Sequence, residues 1–107
     1  MRKIIKGKVY DTDTAIELFK KGTTDCRTTN FNDWFEEYYV TRKGNFFMKY
    51  WGGALTKYSE AGPDGQGSVD GSGIKPLTEE EVLDSFDNSV FDINDEAIEK
   101  YLNIEEA

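Results

Sequence analysis

Between residues 34 and 51 the chain reads Trp34-Phe35-Glu36-Glu37-Tyr38-Tyr39-Val40-Thr41-Arg42-Lys43-Gly44-Asn45-Phe46-Phe47-Met48-Lys49-Tyr50-Trp51. Aromatic and β-branched side chains crowd both flanks, and such residues suit a pleated, half-buried surface. Trp34–Thr41 and Asn45–Trp51 are therefore predicted strands, joined by a hairpin turn at Arg42-Lys43-Gly44-Asn45. One face of the second strand presents Phe46, Met48 and Tyr50; the other presents Phe47, Lys49 and Trp51. Both faces are partly apolar, which predicts a sheet with helices covering one side.

Upstream, Lys3–Tyr10 reads as a strand pair or bent strand, with Lys6-Gly7 at the turn. Asp11-Thr12-Asp13-Thr14 offers N-cap oxygens to Ala15-Ile16-Glu17-Leu18-Phe19, and Lys20-Lys21-Gly22 supplies a basic end and a terminating glycine. Those signals predict a short N-terminal helix. Downstream, residues 52–73 hold seven of the ten glycines and read as a long loop. Ile74-Lys75-Pro76-Leu77 follows as an edge strand, because Pro76 cannot donate to a central ladder. Thr78-Glu79-Glu80-Glu81 is a capping box opening a helix with Val82, Leu83 and Phe86 on its apolar face. Asp92 or Asn94 caps a last helix in which Ala97, Ile98, Tyr101 and Leu102 share one side.

The expected fold is thus α+β: a small antiparallel sheet around the hairpin 34–51, one N-terminal helix and two C-terminal helices. Its 107 residues form one domain, with a Gly-rich loop at 52–73 and an acidic helical segment at 78–107. At this length about two-thirds of the unfolded surface can be buried, so no disulfide or metal is required.

Composition narrows the chemistry. There is no histidine, which removes the commonest general base and metal ligand. Cys26 stands alone, so no intrachain disulfide and no thiolate cluster can form, and a reducing compartment is expected. Without histidine to activate it, Cys26 reads as a spectator thiol. The glycines at 65–71 match neither a Walker loop nor a strand–GxGxxG–helix unit, and Asp64 and Asp70 miss the spacing of a calcium loop. No cofactor, no metal and no catalytic residues are expected. Neither a signal peptide nor a membrane span is legible, so a cytoplasmic location is expected.

Charge is the most informative bulk property. Residues 1–57 carry 11 Lys/Arg against 7 Asp/Glu, a net of +4; residues 58–107 carry 2 against 14, a net of −12. Such asymmetry predicts a polarised surface and partners of opposite sign. Two candidate partner-binding features follow. The first is the acidic segment, represented by Glu79, Glu80, Asp84, Asp87, Asp92, Asp95 and Glu96, either a solvated helix face or a surface imitating phosphate spacing. The second is an aromatic-basic set, Tyr39, Arg42, Lys43, Phe47, Lys49, Trp51, Lys57 and Tyr58, which resembles a stacking platform for single strands. Core packing or a homodimer face accounts for the second pattern equally well.

Several short segments recur in a familiar order. They are Lys3-Ile4-Ile5-x-Gly7-Lys8-x-Tyr10-Asp11-Thr12-x-Thr14-Ala15, Tyr39-x-Thr41-x-x-Gly44-x-Phe46-Phe47, Gly52-Gly53-Ala54-x-x-Lys57-Tyr58 and Ile74-x-Pro76-Leu77-Thr78-x-x-Glu81. Together they resemble a family of small accessory proteins of phages, plasmids and conjugative elements of Gram-positive bacteria. Some members resemble inhibitors of type II CRISPR immunity. The Ala61–Gly73 segment lacks the aromatic and cysteine residues of that pattern, and the C-terminus is more acidic. The resemblance implies a non-enzymatic anti-CRISPR protein of the bacterial host cytoplasm. Its partner would be a CRISPR effector or that effector's guide-RNA complex. The residues also admit a nucleic-acid-binding regulator and a metal-dependent nuclease built on Asp/Glu clusters.

Overall fold

The computed structural model describes residues 1–23, 31–62, 65 and 67–104. Cys26, Asp64, Glu105 and Glu106 lie outside the described residues. Of what is described, 45% is strand and 15% helical.

The hairpin forms as the sequence predicts. β4 (Trp34–Val40) pairs antiparallel with β5 (Phe46–Gly52), from Trp34 opposite Gly52 to Val40 opposite Phe46. These strands are the centre of a five-stranded sheet ordered β8-β5-β4-β3-β9, with β3 at Ile16–Gly22, β8 at Gly71–Leu77 and β9 at Val90–Phe91. β1 (Arg2–Ile5) and β2 (Lys8–Asp11) make a separate two-stranded ribbon. Lys6 and Gly7 turn it with φ of 50° and 78°, the positive pair that a two-residue primed turn requires. β6 (Glu60–Ala61) and β7 (Ser68–Val69) form a further short pair. The helices are α1 (Glu79–Ser85) and α2 (Asp95–Tyr101).

The expected N-terminal helix is overturned: its residues form β3, hydrogen-bonded to β4 on one side and β9 on the other. The fold is accordingly mostly sheet, and both helices lie in the C-terminal part. Asp11 does not cap a helix. Its backbone carbonyl accepts from the N–H groups of Thr14 and Ala15, closing a turn that delivers the chain into the sheet. The misleading signal has a specific cause. The register shifts between Glu17 and Phe19, leaving Leu18 as the extra residue of a β-bulge. Leu18 and Phe19 are both fully buried as a result. Apolar residues at 16, 18 and 19 therefore break strict alternation and imitate one turn of an amphipathic helix.

The glycine-rich segment is also shorter as a loop than expected. Gly71, Ser72 and Gly73 belong to β8, where Gly73 faces Tyr50 and Pro76 faces Phe47. β8 is the edge strand that Pro76 demands.

Alternation along β4 and β5 assigns each side chain to one of two layers. Tyr38, Val40, Phe46 and Met48 join Leu18 and Phe19 beneath Val82, Ala97, Ile98 and Leu102 of the helices. On the opposite face Tyr39, Phe47 and Ile74 pack with Tyr10 of the β1–β2 ribbon. The sheet thus separates an acidic helical layer from a basic ribbon.

Candidate functional site

The helical layer is held by its caps. The Thr78 hydroxyl accepts the Glu81 N–H at 3.2 Å, and the Glu81 carboxylate accepts the Thr78 N–H at 3.0 Å, completing the predicted capping box. The same backbone hydrogen bond holds the Glu81 carboxyl below the usual range. Asn94 caps α2 by accepting the Ala97 N–H at 3.2 Å, and donates from its backbone to the Leu18 carbonyl at 2.8 Å and from its side chain to Glu17 O at 3.1 Å. The bulge residue is thereby tied directly to the second helix.

The structure divides the seven predicted acids into two groups. Glu79 accepts the Asn103 N–H at 2.8 Å, and Asp92 pairs with Lys20 at 3.5 Å. Asp87 accepts from the Ser89 hydroxyl and N–H and pairs with Lys21 at 2.9 Å, contacts that hold its carboxyl far below the usual range. These three have structural roles. Glu80, Asp84, Asp95 and Glu96 are exposed and, with Glu99, form no ion pair among the described residues. Asp95 and Glu99 share a groove of about 590 Å³ with Phe86, Ile98, Leu102 and Ile104. Phe86 and Ile104 retain 38% and 60% exposure there, which the sequence did not flag.

The aromatic-basic set is not a single platform. Tyr39 and Phe47 are core residues, stacked on each other at 5.2 Å, with Tyr10 edge-on to Phe47 at 5.4 Å. Lys49 pairs with Glu37 at 3.6 Å. Lys57 pairs with Glu36 at 3.1 Å and lies 4.2 Å above the Trp34 ring. Trp51 stacks on Phe35 at 5.8 Å and donates its ring N–H to Asp70 at 3.1 Å. It also lines a shallow cleft of about 320 Å³ with Phe31, Ala54 and Val69. Arg42 and Lys43 are exposed at the opposite end of the hairpin, so these cations, unpaired among the described residues, and the half-buried Phe35 and Trp51 are a strand length apart.

Glu36 was missed as well. It is the one buried charged residue among those described, 4% exposed, on the inward register with Tyr38 and Val40. The Tyr38 hydroxyl donates to it at 2.7 Å, and the Tyr58 hydroxyl donates to its other carboxylate oxygen. Burial, reinforced by hydrogen bonding to Glu36, pushes the Tyr58 hydroxyl far above its ordinary range, and Tyr38 is raised chiefly by burial too. Both therefore remain protonated donors, and with Lys57 they satisfy a carboxylate that would otherwise be costly to bury. The arrangement is a locked strut between β4 and the segment after β5. An acid between aromatic residues in a predicted strand was the available signal.

The ribbon end carries the third feature. Lys8 from β2 meets Arg42 and Lys43 from the β4–β5 turn around a groove of about 460 Å³ that Thr14, Thr41 and Asn45 also line. Lys8 had not been singled out; only tertiary packing puts it beside the turn.

Among the described residues no three acid or thiol side chains gather as a metal site, and no helix is long and apolar enough to cross a membrane. No protein-family model, curated protein or solved structure matches this chain.

Proposed function

We propose that this protein is a non-enzymatic binding protein whose acidic helical layer engages a basic surface of a macromolecular partner. The observation that carries the reading is exposed, unpaired acids on the helical layer, two of them sharing a groove with four apolar side chains. Glu80, Asp84, Asp95, Glu96 and Glu99 form no ion pair among the described residues, and two of them, Asp95 and Glu99, line a groove with Phe86, Ile98, Leu102 and Ile104. Exposed acids steer an encounter with a cationic surface and raise its rate, while buried apolar anchors supply the binding energy.

The resemblance in the sequence gives the partner its identity: a type II CRISPR effector nuclease or its guide-RNA assembly, whose nucleic-acid channel is basic. In that reading the acidic layer occupies the channel and blocks nucleic-acid entry. The test is guided cleavage by a purified type II effector, loaded with guide RNA, with and without the protein. Glu80→Gln, Asp84→Asn and Glu99→Gln together keep shape and remove three charges without touching a cap or an ion pair. The expected result is inhibition by the parent and weaker inhibition by the triple variant, with the gap closing as salt is raised and screening shortens the field. Absence of inhibition and of complex formation by the parent would overturn the identity of the partner. Equal inhibition by both proteins would overturn the role of the acids.

A further inference from the structure

Most cations of the described residues fall into two populations; Lys75 on β8 and Lys100 on α2, exposed and likewise without an ion pair, belong to neither. Lys20, Lys21, Lys49 and Lys57, which project from the large sheet or the segment after it, are all ion-paired to carboxylates. Arg2, Lys3, Lys6 and Lys8 on the ribbon, with Arg42 and Lys43 on the β4–β5 turn, are all exposed, and none forms an ion pair among the described residues. The local acids are Asp11, which lines the groove and holds the Asp13 N–H at 2.9 Å, and Asp13 itself. A chain of net charge −8 thus gathers six cations that form no ion pair among the described residues on the ribbon and the β4–β5 turn, across the sheet from the helical layer; Glu17 and Glu37, beside Tyr39, also lie on the ribbon's side, Glu37 paired with Lys49.

The charge is also shaped. The ribbon packs through Tyr10 on Phe47 and leaves a groove against the turn. Lys8 and Arg42–Lys43 stand around it, 34 and 35 positions apart in sequence and converging only in the fold. Thr14, Thr41 and Asn45 add neutral hydrogen-bonding groups to its walls. Cationic side chains interleaved with hydroxyl and amide groups suit phosphate oxygens, which accept from both. The one aromatic residue of the lining, Tyr10, is buried in the core, so this groove offers no ring for base stacking.

We propose that this groove is a second, separate binding site, for the phosphate backbone of a nucleic acid, read without regard to base sequence. It is independent of the acidic layer and stands or falls apart from it. A molecule so built joins a basic protein surface on one side to a nucleic-acid strand on the other.

The probe is a fluorescein-labelled oligouridylate, followed by fluorescence anisotropy against the full chain at rising salt. Each phosphate contact contributes about 0.7 to the slope of log affinity against log salt on a single strand. Three contacts give a slope near −2, a loss of roughly twentyfold between about 50 and 200 mM salt. Lys8→Glu, Arg42→Glu and Lys43→Glu in one chain should abolish binding, with the thermal melt unchanged because all three side chains are exposed. The Glu80→Gln, Asp84→Asn, Glu99→Gln chain should bind as the parent does or more tightly. Oligodeoxyadenylate should bind comparably, since no base is read. No binding by the parent at low salt, or equal binding by the charge-reversed chain, overturns the site. Competition by polyglutamate at the same charge concentration as effectively as by oligouridylate overturns its assignment to phosphate. Loss of oligonucleotide binding with nuclease inhibition retained separates this site from the acidic one.

Discussion

Glu36 and Tyr58 lie 22 residues apart in sequence, and the tyrosine hydroxyl donates directly to the buried carboxylate. Tyr58 also stacks on Tyr50 at 4.5 Å, so one side chain clamps the segment after β5 against both central strands. Removing the hydroxyl leaves a buried acceptor short of a donor. Tyr58→Phe is expected to cost about 1–3 kcal/mol by urea denaturation. Lys57→Met, which removes an exposed cation, should cost under about 1 kcal/mol. Equal effects from the two substitutions would show that the charge supports Glu36 as much as the hydroxyl does.

The Tyr58 carbonyl also sits against Gly71, leaving no space for a methyl group. Gly71→Ala must push the segment after β5 away or distort the first residue of β8. A loss of about 1–3 kcal/mol is expected, against about 0.5 kcal/mol or less for Ser72→Ala on the exposed side of the same strand. Thermal melts of the two variants distinguish them.

Asp87 holds the loop between α1 and β9 through Ser89 and reaches β3 through Lys21. Its folded carboxyl is depressed below the ordinary value of about 3.9. A depressed carboxylate binds its proton less readily when folded, so its stabilisation is complete above that ordinary value and is lost as pH falls below it. Asp87→Asn should therefore melt below the parent at pH 7, and the difference should shrink steadily between about pH 4 and pH 2. A difference independent of pH would place the effect in packing.

The groove beside α2 can be separated from the acids of the helical layer. Ile104 is exposed, so Ile104→Ser should leave the melt within about 0.5 kcal/mol of the parent. Its loss of apolar contact should appear as faster dissociation of the inhibited complex, with association unchanged. Neutralising Glu80, Asp84 and Glu99 should do the reverse, slowing association more than it speeds dissociation. Surface plasmon resonance on an immobilised effector reads both rates.

The sequence was most legible where the deciding interactions are local. The hairpin, the Lys6-Gly7 turn and the Thr78–Glu81 box each rest on residues within a few positions of one another, and each is present. It misled at Ala15–Phe19, where capping oxygens, a helical apolar spacing and a closing glycine agreed on a helix. There the β-bulge at Leu18 and pairing to β4 and β9 outweigh propensities that differ by well under 1 kcal/mol per residue. The site followed the same division. Acids and cations could be counted along the chain, but their pairing could not. Glu79, Asp87, Asp92, Lys49 and Lys57 are held by residues that only the fold brings near.

What the sequence determined by itself is the central hairpin, the capped helix and the opposition of a basic first half to an acidic second half. Alternation, capping and net charge need no knowledge of what packs against what. What the tertiary structure decided is which side of the sheet each half occupies, which charges are spent, and that Lys8 joins Arg42 and Lys43 around one groove. Those outcomes depend on contacts across tens of residues, whose register is set by burying Phe47 under Tyr10 on one face and Val40 under the helices on the other.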